Sequence, residues 1–391
     1  MMKKILLTFA IVTAALSATA QTNSKSWVGT WATAVEFTGP GDMPKSSLSN
    51  RSLREIIHVS LGGETLKMQL SNIHSKEPVE IKSIFIANPT DSCDIDVKSA
   101  KYLTFNGKKN VTIAPGEAVY CDELKYHLTP LQLLSITINY GATTPVNASS
   151  HRGSRTTSYI INGEAKPKTK FVNAEKLDHW YNISCIDVET AQTTPCIAII
   201  GNSITDGRGS TTNKQNRWSD FLAEALGGKT GVLNLGIGGN SVVYGGLSEP
   251  AIKRFDRDIL QQTGVTTVVI FEGVNDIGGR KQNHQEIVKG LINAYNDLIK
   301  KSKDAGKKVY LGTITPFYGN SYYNYFSEAA RLTLNDWIRS NKDIDGVIDF
   351  DKLVQDPENP KALLKKYSDD GLHCSPAGYE AMGKYAAEII K

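Results

Sequence analysis

The 391-residue sequence has few cysteines and little charge imbalance, and each shortage excludes a class of protein. Its five cysteines form no CxxC pair and no other spacing typical of a zinc site, so no metal or other cofactor is expected. The formal net charge is +4 and no basic run with interleaved aromatic residues occurs, which argues against a nucleic-acid partner. The odd cysteine count leaves at least one thiol unpaired within the chain, although Cys93 could pair with Cys121.

An apolar stretch at the N-terminus has the pattern of an export signal. Lys3 and Lys4 precede an apolar run over residues 5–16, and the triplet at 18–20 reads Ala-Thr-Ala, an A-x-A cleavage site. The run is too short to span a bilayer comfortably, although a retained membrane anchor is the alternative interpretation. We therefore expect residues 1–20 to be a signal peptide, and the mature protein to be periplasmic or secreted without a membrane span.

Two parts of the remaining sequence have different hydrophobic periods, which predicts two domains. From residue 27 to about 190, short alternating or β-branched runs such as REIIHVSL, TLKMQLSN and VEIKSIFIA are separated by turn residues. We expect an all-β sandwich, similar to a jelly roll, over residues 21–190. Residues 175–194 are expected to form the connection to the second domain.

After about residue 192 the pattern changes to strands alternating with helices. The five strand candidates are the apolar runs at 196–200, 232–235, 267–271, 308–313 and 347–350. Helical patterns separate them, including one that begins at Trp218 and one with Ser327 as its expected N-cap. This alternation predicts an α/β domain over residues 191–391, with a five-stranded parallel sheet flanked by helices.

Polar and glycine-rich segments follow these strands, at the edge where open α/β sheets bind ligands. Ser203 follows the first strand, Gly239 the second and Asn275 the third, whereas Asp370 and His373 come after the fifth. This set fits acyl transfer, with Ser203 as nucleophile, His373 as base and Asp370 as the acid that orients the base. The backbone N–H groups of Ser203 and Gly239 and the amide of Asn275 are expected to bind the oxyanion.

Each of these residues also has an ordinary structural interpretation. Ser203 could cap a helix, GIGGN could be a flexible turn, and Asn275 could belong to an Asx-turn. Asp369 competes with Asp370 for the acid's role, and six other histidines compete with His373. Because all of these structural explanations would have to hold at once, each at a strand end, catalysis is the better interpretation.

From residue 195 to the end, the sequence resembles the SGNH, or GDSL-type, hydrolase superfamily. The segments GNSITDG, LNLGIGGNS, EGVNDIG and DGLH follow the order of the family's four blocks. In this sequence the matching positions are Ser203, Gly239, Asn275, Asp370 and His373. The resemblance implies a flavodoxin-like three-layer fold and a metal-independent serine esterase. The whole mature chain also resembles exported bacterial members that carry an N-terminal β-sandwich.

Two positions depart from the family pattern. Asn202 stands where the family usually has aspartate. The asparagine retains a hydrogen-bonding carbonyl but lacks the negative charge. Cys374 stands where proline is common, which places a thiol beside the expected base. The sequence has no G-x-S-x-G motif, so it does not support an ordinary α/β-hydrolase elbow.

The resemblance leaves the ester open, since fold does not select among esters. Export and a β-sandwich favour polysaccharide-derived substrates, and the shallow, loop-built site that the resemblance implies suits short acyl groups, above all acetyl. The expected partner is therefore a small-molecule or oligosaccharide ester. A lipid or aryl-ester acylhydrolase and an inactive glycan-binding relative are the alternatives. Candidate substrate contacts are Asn202, Tyr322, His151 and Arg155, although Tyr322 could serve packing and HRGSRTTSYI could be a solvated loop. The sequence predicts no oligomeric state.

Overall fold

The computed structural model describes residues 25–279 and 283–390, so the expected signal peptide lies outside the described residues. An antiparallel β-rich domain comes first. Its strands are β1 (Lys25–Ala32), β2 (Glu36–Thr38), β3 (Arg51–His58), β4 (Gly63–Ser71), β5 (Val79–Ala87), β6 (Pro89–Asp91), β7 (Asp94–Ile95), β8 (Lys101–Tyr102), β9 (Val111–Ile113), β10 (Ala118–Tyr120), β11 (Leu124–Leu128), β12 (Leu133–Tyr140), β13 (Ala148–His151), β14 (Ser158–Asn162), β15 (Glu175–Leu177), β16 (Trp180–Tyr181) and β17 (Ile183–Ala191). Short 3-10 helices lie at Pro40–Asp42 and Val97–Ser99.

Two antiparallel sheets form most of this domain. One has the order β1-β17-β4-β10 with β11 also paired to β4, and the other has the order β15-β14-β3-β12-β5-β8 with β9 also paired to β5. A small third sheet has the order β16-β13-β2. Side chains from both large sheets, such as Met68 of β4 and Ile136 of β12, are buried in the same hydrophobic core. The predicted all-β domain is thus confirmed as an antiparallel β-rich domain.

The stretch 175–194 belongs to the β domain, and the prediction of a simple connection was wrong. It carries β15, β16 and β17. β17 pairs with β1 on one side and with β4 on the other, so it is an inner strand of its sheet. The first six residues of β17 are all buried, as expected for a strand that pairs along both of its edges.

The second domain alternates strands and helices. Its strands are β18 (Cys196–Gly201), β19 (Gly231–Gly236), β20 (Thr267–Phe271), β21 (Lys308–Gly312) and β22 (Gly346–Ile348). Its α-helices are α1 (Ser203–Asp206), α2 (Trp218–Ala225), α3 (Ala251–Phe255), α4 (Val274–Gly278), α5 (His284–Asp304), α6 (Tyr325–Ser340), α7 (Phe350–Val354) and α8 (Pro376–Ile390). A π-helical turn lies at Asp256–Leu260 and a 3-10 turn at Lys365–Tyr367. None of the helices in the described ranges is long and apolar enough to cross a membrane.

All five strands of the second domain are parallel, in the order β19-β18-β20-β21-β22. The predicted five-stranded parallel sheet is therefore confirmed, with each strand within two residues of its expected bounds. Counted within the domain, the order is 2-1-3-4-5, as in flavodoxin-like folds, and the chain reverses direction across the sheet beside β18. Ligands bind at the carboxyl ends of the strands at such a switch point.

The start of α6 differs from the prediction by a few residues. Asn324, not Ser327, is the N-cap, because its side-chain oxygen accepts hydrogen bonds from the N–H groups of Phe326 and Ser327, both at 2.9 Å. The hydroxyl of Ser327 accepts a hydrogen bond from the Asn324 N–H in return, at 2.8 Å. The two side chains form a capping box. Asparagine and serine are both common N-cap residues, so the sequence alone does not show which of the two is the cap.

The two domains share one hydrophobic core at their junction. β1 lies beside β19, where Gly29 leaves room for Leu233, since a Cβ on Gly29 would lie 2.9 Å from Leu233 Cδ1. The Gly29 N–H donates a hydrogen bond of 2.9 Å to the carbonyl of Thr263. Val28 and Leu233 belong to the same cluster of buried apolar side chains, which continues through both domains.

All five cysteines carry free thiols, so the pairing considered for Cys93 and Cys121 is not present. Burial raises the pKa of the Cys121 thiol to about 11, and that of the Cys374 thiol to about 12. The Cys374 thiol is therefore neutral at physiological pH.

Candidate active site

Ser203 lies at a tight turn from strand to helix, directly beyond β18. Gly201 ends the strand, and a Cβ there would lie 2.3 Å from Thr205 Oγ1, so the turn requires glycine. Asn202 is the N-cap of α1, because its Oδ1 accepts a hydrogen bond of 3.0 Å from the Ile204 N–H. Ser203 is thus the first residue of α1, and its side chain does not cap the helix.

Ser203, His373 and Asp370 form a continuous chain of hydrogen bonds. Ser203 Oγ lies 2.8 Å from His373 Nε2, and His373 Nδ1 lies 2.7 Å from Asp370 Oδ2. Asp370 Oδ1 also accepts the backbone N–H groups of Leu372 and His373, at 2.9 and 2.8 Å. Asp369 is exposed and takes part in none of these bonds. The structure therefore brings together the three residues that the sequence nominates as nucleophile, base and acid.

The surroundings of His373 in this series of hydrogen bonds favour its neutral imidazole. Burial lowers the pKa of His373 below its ordinary value, and nearby Arg208 and Arg155 lower it further, although Asp370 acts in the opposite direction. Burial would raise the pKa of Asp370, but hydrogen bonds from the His373 side chain and backbone outweigh it and lower that pKa to about 2. Near neutral pH Asp370 is ionised and accepts the Nδ1–H, which leaves Nε2 free to accept the Ser203 proton.

Gly239, on the loop after β19, and Asn275, in the short helix α4 after β20, come together beyond the end of β18. The Asn275 amide donates a hydrogen bond of 2.6 Å to the carbonyl of Asn240, and its Oδ1 accepts one of 2.9 Å from Tyr322 Oη. The hydrogen bond from Tyr322 thereby fixes the orientation of the Asn275 side-chain amide, with its N–H₂ group on the side of Asn240. Within residues 25–279 and 283–390, the N–H groups of Ser203 and Gly239 donate to no protein acceptor.

Arg254 lies beneath the site and joins the first two strand ends. Its guanidinium is fully buried and donates to the carbonyls of Gly201 at 3.2 Å and Leu235 at 2.8 Å. It also binds Asn240 Oδ1 at 2.8 and 3.0 Å and forms an ion pair of 3.0 Å with Asp258. A buried cation needs such partners, and here they fix the loop that carries Gly239. The sequence alone does not single out Arg254, whose only local signal is an acid four residues later.

A buried carboxyl offers a physical account of Asn202. Glu272 is 1% exposed, and no described residue donates a well-formed hydrogen bond to either of its carboxyl oxygens. Burial raises the pKa of Glu272 well above its usual range, although Arg254 and the Asn202 amide act in the opposite direction. An aspartate at position 202, the residue typical of the GDSL motif, would place a second carboxylate beside Glu272, whereas asparagine adds no charge.

The segment HRGSR comes from the β domain and packs against α1, so the alternative of a solvated loop was wrong. His151 is 3% exposed; its Nδ1 lies 2.9 Å from the carbonyl of Ala34 and its Nε2 2.9 Å from Asp206 Oδ1. Arg155 binds the other oxygen of Asp206 at 2.8 Å. Both ring nitrogens of His151 are engaged, which leaves neither free for the substrate contact predicted from sequence. Asp206 itself, three residues after Ser203, was not recognised as important.

Tyrosines from the loop after β21 border the site. Tyr322 is part-buried against α4, since a Cβ on Gly278 would lie 2.2 Å from its ring. Tyr318, which the sequence analysis did not single out, is 48% exposed. Its backbone contacts the loop of the acid and base, because a Cβ on Gly371 would lie 3.1 Å from the Tyr318 carbonyl oxygen. The Tyr318 ring packs edge-on against the ring of Tyr323, with their centroids 4.8 Å apart, and the residue stays about half exposed.

A three-layer α/β domain with a hydrogen-bonded serine, histidine and aspartate at its strand ends has the form of a hydrolase. Residues 199–381 match the model of the GDSL-like Lipase/Acylhydrolase family. The match covers just under half of the chain and includes every segment from Ser203 to His373. The α/β domain is therefore similar to this family over residues 199–381, in agreement with the resemblance predicted from the sequence.

Several solved structures are similar to this chain over about half its length. A GDSL-like lipase from Bacteroides thetaiotaomicron is 20% identical, covers 51% of this chain and 90% of its own, and has a TM-score of 0.40. A carbohydrate acetylesterase family member from Sinorhizobium meliloti is 16% identical, with coverages of 50% and 97% and a TM-score of 0.41. An acetylxylan esterase from Geobacillus stearothermophilus, solved as a catalytic mutant, is 17% identical, with coverages of 50% and 93% and a TM-score of 0.39.

One curated protein is also similar in sequence. N-acylneuraminate cytidylyltransferase of Escherichia coli O18:K1:H7 (strain RS218 / NMEC) is 30% identical over 126 residues, which is 32% of this chain. This chain spans only 28% of the length of that protein. The cytidylyltransferase activity in its name therefore says nothing about the reaction of this chain.

Proposed function

We propose that the protein is a serine esterase that uses Ser203, His373 and Asp370. The observation that carries this proposal is the unbroken series of hydrogen bonds from Ser203 Oγ through the imidazole to Asp370 Oδ2, at 2.8 and 2.7 Å. His373 takes the proton of Ser203 as the hydroxyl attacks the ester carbonyl, and then gives it to the leaving alcohol. Asp370 holds the imidazole in the required tautomer and stabilises the imidazolium. Water then hydrolyses the acyl-enzyme with His373 as base.

The oxyanion of the tetrahedral intermediate is proposed to bind three donors. These are the N–H groups of Ser203 and Gly239 and the side-chain amide of Asn275. Two observations support the assignment: the two backbone N–H groups have no protein acceptor within the described ranges, and Tyr322 orients the amide. Donors that are fixed before the reaction stabilise developing charge without reorganisation.

We propose short acyl esters, above all acetyl groups on carbohydrates, as substrates. Leu247 contacts Gly239, because a Cβ on that glycine would lie 2.9 Å from Leu247 Cδ1, and Tyr322 contacts Asn275. Side chains thus fill the space beside both oxyanion donors, which favours a small acyl group. The exposed ring of Tyr318 offers a surface on which a sugar can stack.

Labelling with a fluorophosphonate probe tests the nucleophile. We expect wild type to become labelled and Ser203→Ala to remain unlabelled, because the probe forms a covalent bond only with an activated hydroxyl. Ser210→Ala is the matched control, since Ser210 lies in the loop just after α1, and it should be labelled like wild type. Equal labelling of Ser203→Ala and wild type would refute the assignment.

Comparison of substrates tests the acyl group and the alcohol. We expect p-nitrophenyl acetate to be hydrolysed faster than the octanoate, and acetate to be released from acetylated oligosaccharides. Tyr318→Ala should raise KM for the oligosaccharide and leave KM for p-nitrophenyl acetate unchanged. A clear preference for the octanoate would instead support a lipid or aryl-ester acylhydrolase.

We further propose that the protein is exported to the periplasm or secreted, on the basis of the signal pattern in residues 1–20. N-terminal sequencing of protein recovered from the extracytoplasmic fraction tests this, with an expected start near Gln21. Recovery of the intact N-terminus from the cytoplasm would refute it.

A further inference from the structure

We propose that residues 151–155 of the β domain are a positioning segment of the esterase site. They hold α1, which carries Ser203, and the 246–248 stretch, which covers Gly239. The β domain would then be part of the catalytic unit and not only an appended module. This inference rests on the proposed esterase function and adds to it the residues that fix the relative position of nucleophile and oxyanion donors.

The first contact of the segment is with Asp206, the last residue of α1. Both carboxylate oxygens of Asp206 are bound by the β domain: Oδ1 by His151 Nε2 at 2.9 Å and Oδ2 by Arg155 at 2.8 Å. The Asp206 side chain is buried, and the Arg155 guanidinium supplies a compensating charge while His151 supplies a hydrogen bond. The Asp206 N–H in turn donates to the Asn202 carbonyl at 2.8 Å, which connects the carboxylate to the turn that precedes Ser203.

Gly153 sets how closely the segment approaches α1. It is buried, and a Cβ at this position would lie 1.9 Å from Asp206 Oδ1 and 2.3 Å from Oδ2. Its φ angle does not lie in the left-handed region, so an alanine would fit the backbone and disturb only the contact. Glycine is therefore required at position 153 because it leaves room for the Asp206 carboxylate, and not because the loop needs an unusual backbone conformation.

The second contact of the segment is with the stretch that covers Gly239. Arg152 Nη2 binds Glu36 Oε2 at 2.5 Å, the carbonyl of Leu247 at 3.3 Å and Ser248 Oγ at 3.4 Å. The Ser248 hydroxyl also donates to Glu36 at 2.5 Å. Arg152 and Glu36, both from the β domain, thus fix residues 247–248 of the α/β domain.

Residues 246–247 rest directly on the proposed oxyanion donor. A Cβ on Gly246 would lie 2.3 Å from the Gly239 carbonyl oxygen, and a Cβ on Gly239 would lie 2.9 Å from Leu247 Cδ1. A shift of this stretch would therefore move Gly239. The positioning segment touches both sides of the site, the nucleophile through Asp206 and the oxyanion donor through Leu247.

A second interdomain pair provides a matched control. His58 of β3 lies 3.0 Å from Asp220 of α2, and both side chains are largely buried, at 10% and 11% exposure, against 4% and 1% for His151 and Asp206. This pair has the same chemistry and joins the same two domains as His151 and Asp206. It differs in that Asp220 belongs to α2, which carries none of the proposed catalytic residues.

The test compares full-length variants on p-nitrophenyl acetate, with folding checked by circular dichroism and thermal unfolding. His151→Ala and Gly153→Ala should each lower kcat about tenfold to 100-fold with little change in KM, because a displacement of about 1 Å is sufficient for such a loss. His151→Gln, which keeps a donor near the Nε2 position, should recover part of the loss. His58→Ala and Gly41→Ala, the latter in open space, should lower stability at most and keep kcat.

The outcomes separate this inference from the proposed function. If folded His151→Ala and Gly153→Ala keep the wild-type kcat, or if His58→Ala loses as much kcat as His151→Ala, the positioning role is refuted. If His151→Ala does not fold, Gly153→Ala decides alone, since its backbone is compatible with alanine. If Ser203→Ala retains full activity, the proposed esterase mechanism fails instead, independently of the positioning segment.

Discussion

Replacement of Asp370 by asparagine is the sharpest test of how the site works. The carboxylate has two tasks: Oδ2 accepts the Nδ1–H of His373 at 2.7 Å, and Oδ1 accepts two backbone N–H groups at 2.8 and 2.9 Å. The asparagine oxygen can keep the backbone bonds, so the loop should retain its shape. Its amide would then face Nδ1 with a donor, which forces the imidazole proton onto Nε2.

In that tautomer His373 cannot accept the proton of Ser203, and the charge that stabilises the imidazolium is also absent. We expect kcat on p-nitrophenyl acetate near pH 7.5 to fall by about 10⁴-fold, which corresponds to roughly 5 kcal/mol of activation free energy. Asp369→Asn is the control, because Asp369 is exposed and forms none of the bonds of its neighbour; it should stay within about twofold of wild type. Equal losses in the two variants, or a loss below tenfold in Asp370→Asn, would show that Asp370 does not orient the base.

Three further predictions follow from the same geometry. Because burial lowers the pKa of His373 and the base must be neutral, kcat/KM should rise with pH to a plateau through a midpoint below 6.5; a midpoint above 7 would contradict this. Asn275→Ala should lower kcat about 100- to 1,000-fold, and Tyr322→Phe less, as measured by steady-state kinetics; an unchanged kcat in Asn275→Ala would remove it from the oxyanion site. The raised pKa of Glu272 means that the folded state keeps a proton that the unfolded state releases above its ordinary pKa, so Glu272 contributes stability that declines as pH rises from 5 to 8. Glu272→Gln should lessen that decline in urea unfolding, and identical slopes for the two proteins would refute a protonated Glu272.

The sequence was sufficient to predict the α/β architecture and the proposed catalytic residues, because both depend on local pattern. Apolar runs between amphipathic helices define the strands, and the residues just beyond those runs must meet at one edge of a parallel sheet. Ser203 and His373 are 170 positions apart, yet each follows a strand of the same sheet. Ser203 lies directly beyond β18, but α7 and a 3-10 turn separate His373 from β22, so the prediction of His373 also rests on the resemblance of DGLH to the family's Asp-x-x-His segment.

Contacts between the domains could not be predicted in this way. HRGSR has no periodicity that distinguishes a solvated loop from a buried one, and its partner Asp206 lies 55 positions from His151. The sequence predicts a connection where β17 lies, because the role of β17 as an inner strand depends on β1, which is distant in sequence. The predicted N-cap of α6 was wrong for a different reason. Asn324 and Ser327 are both residue types that cap helices, and only the backbone geometry shows that Asn324 is the cap.

The shared hydrophobic core has a consequence for how the protein can be divided. Val28 and Leu233 belong to one cluster although they come from different domains, so a cut near residue 190 would expose apolar surface on both fragments. The two halves should unfold in a single cooperative transition, and neither fragment is a reliable substitute for the whole in screening or crystallisation.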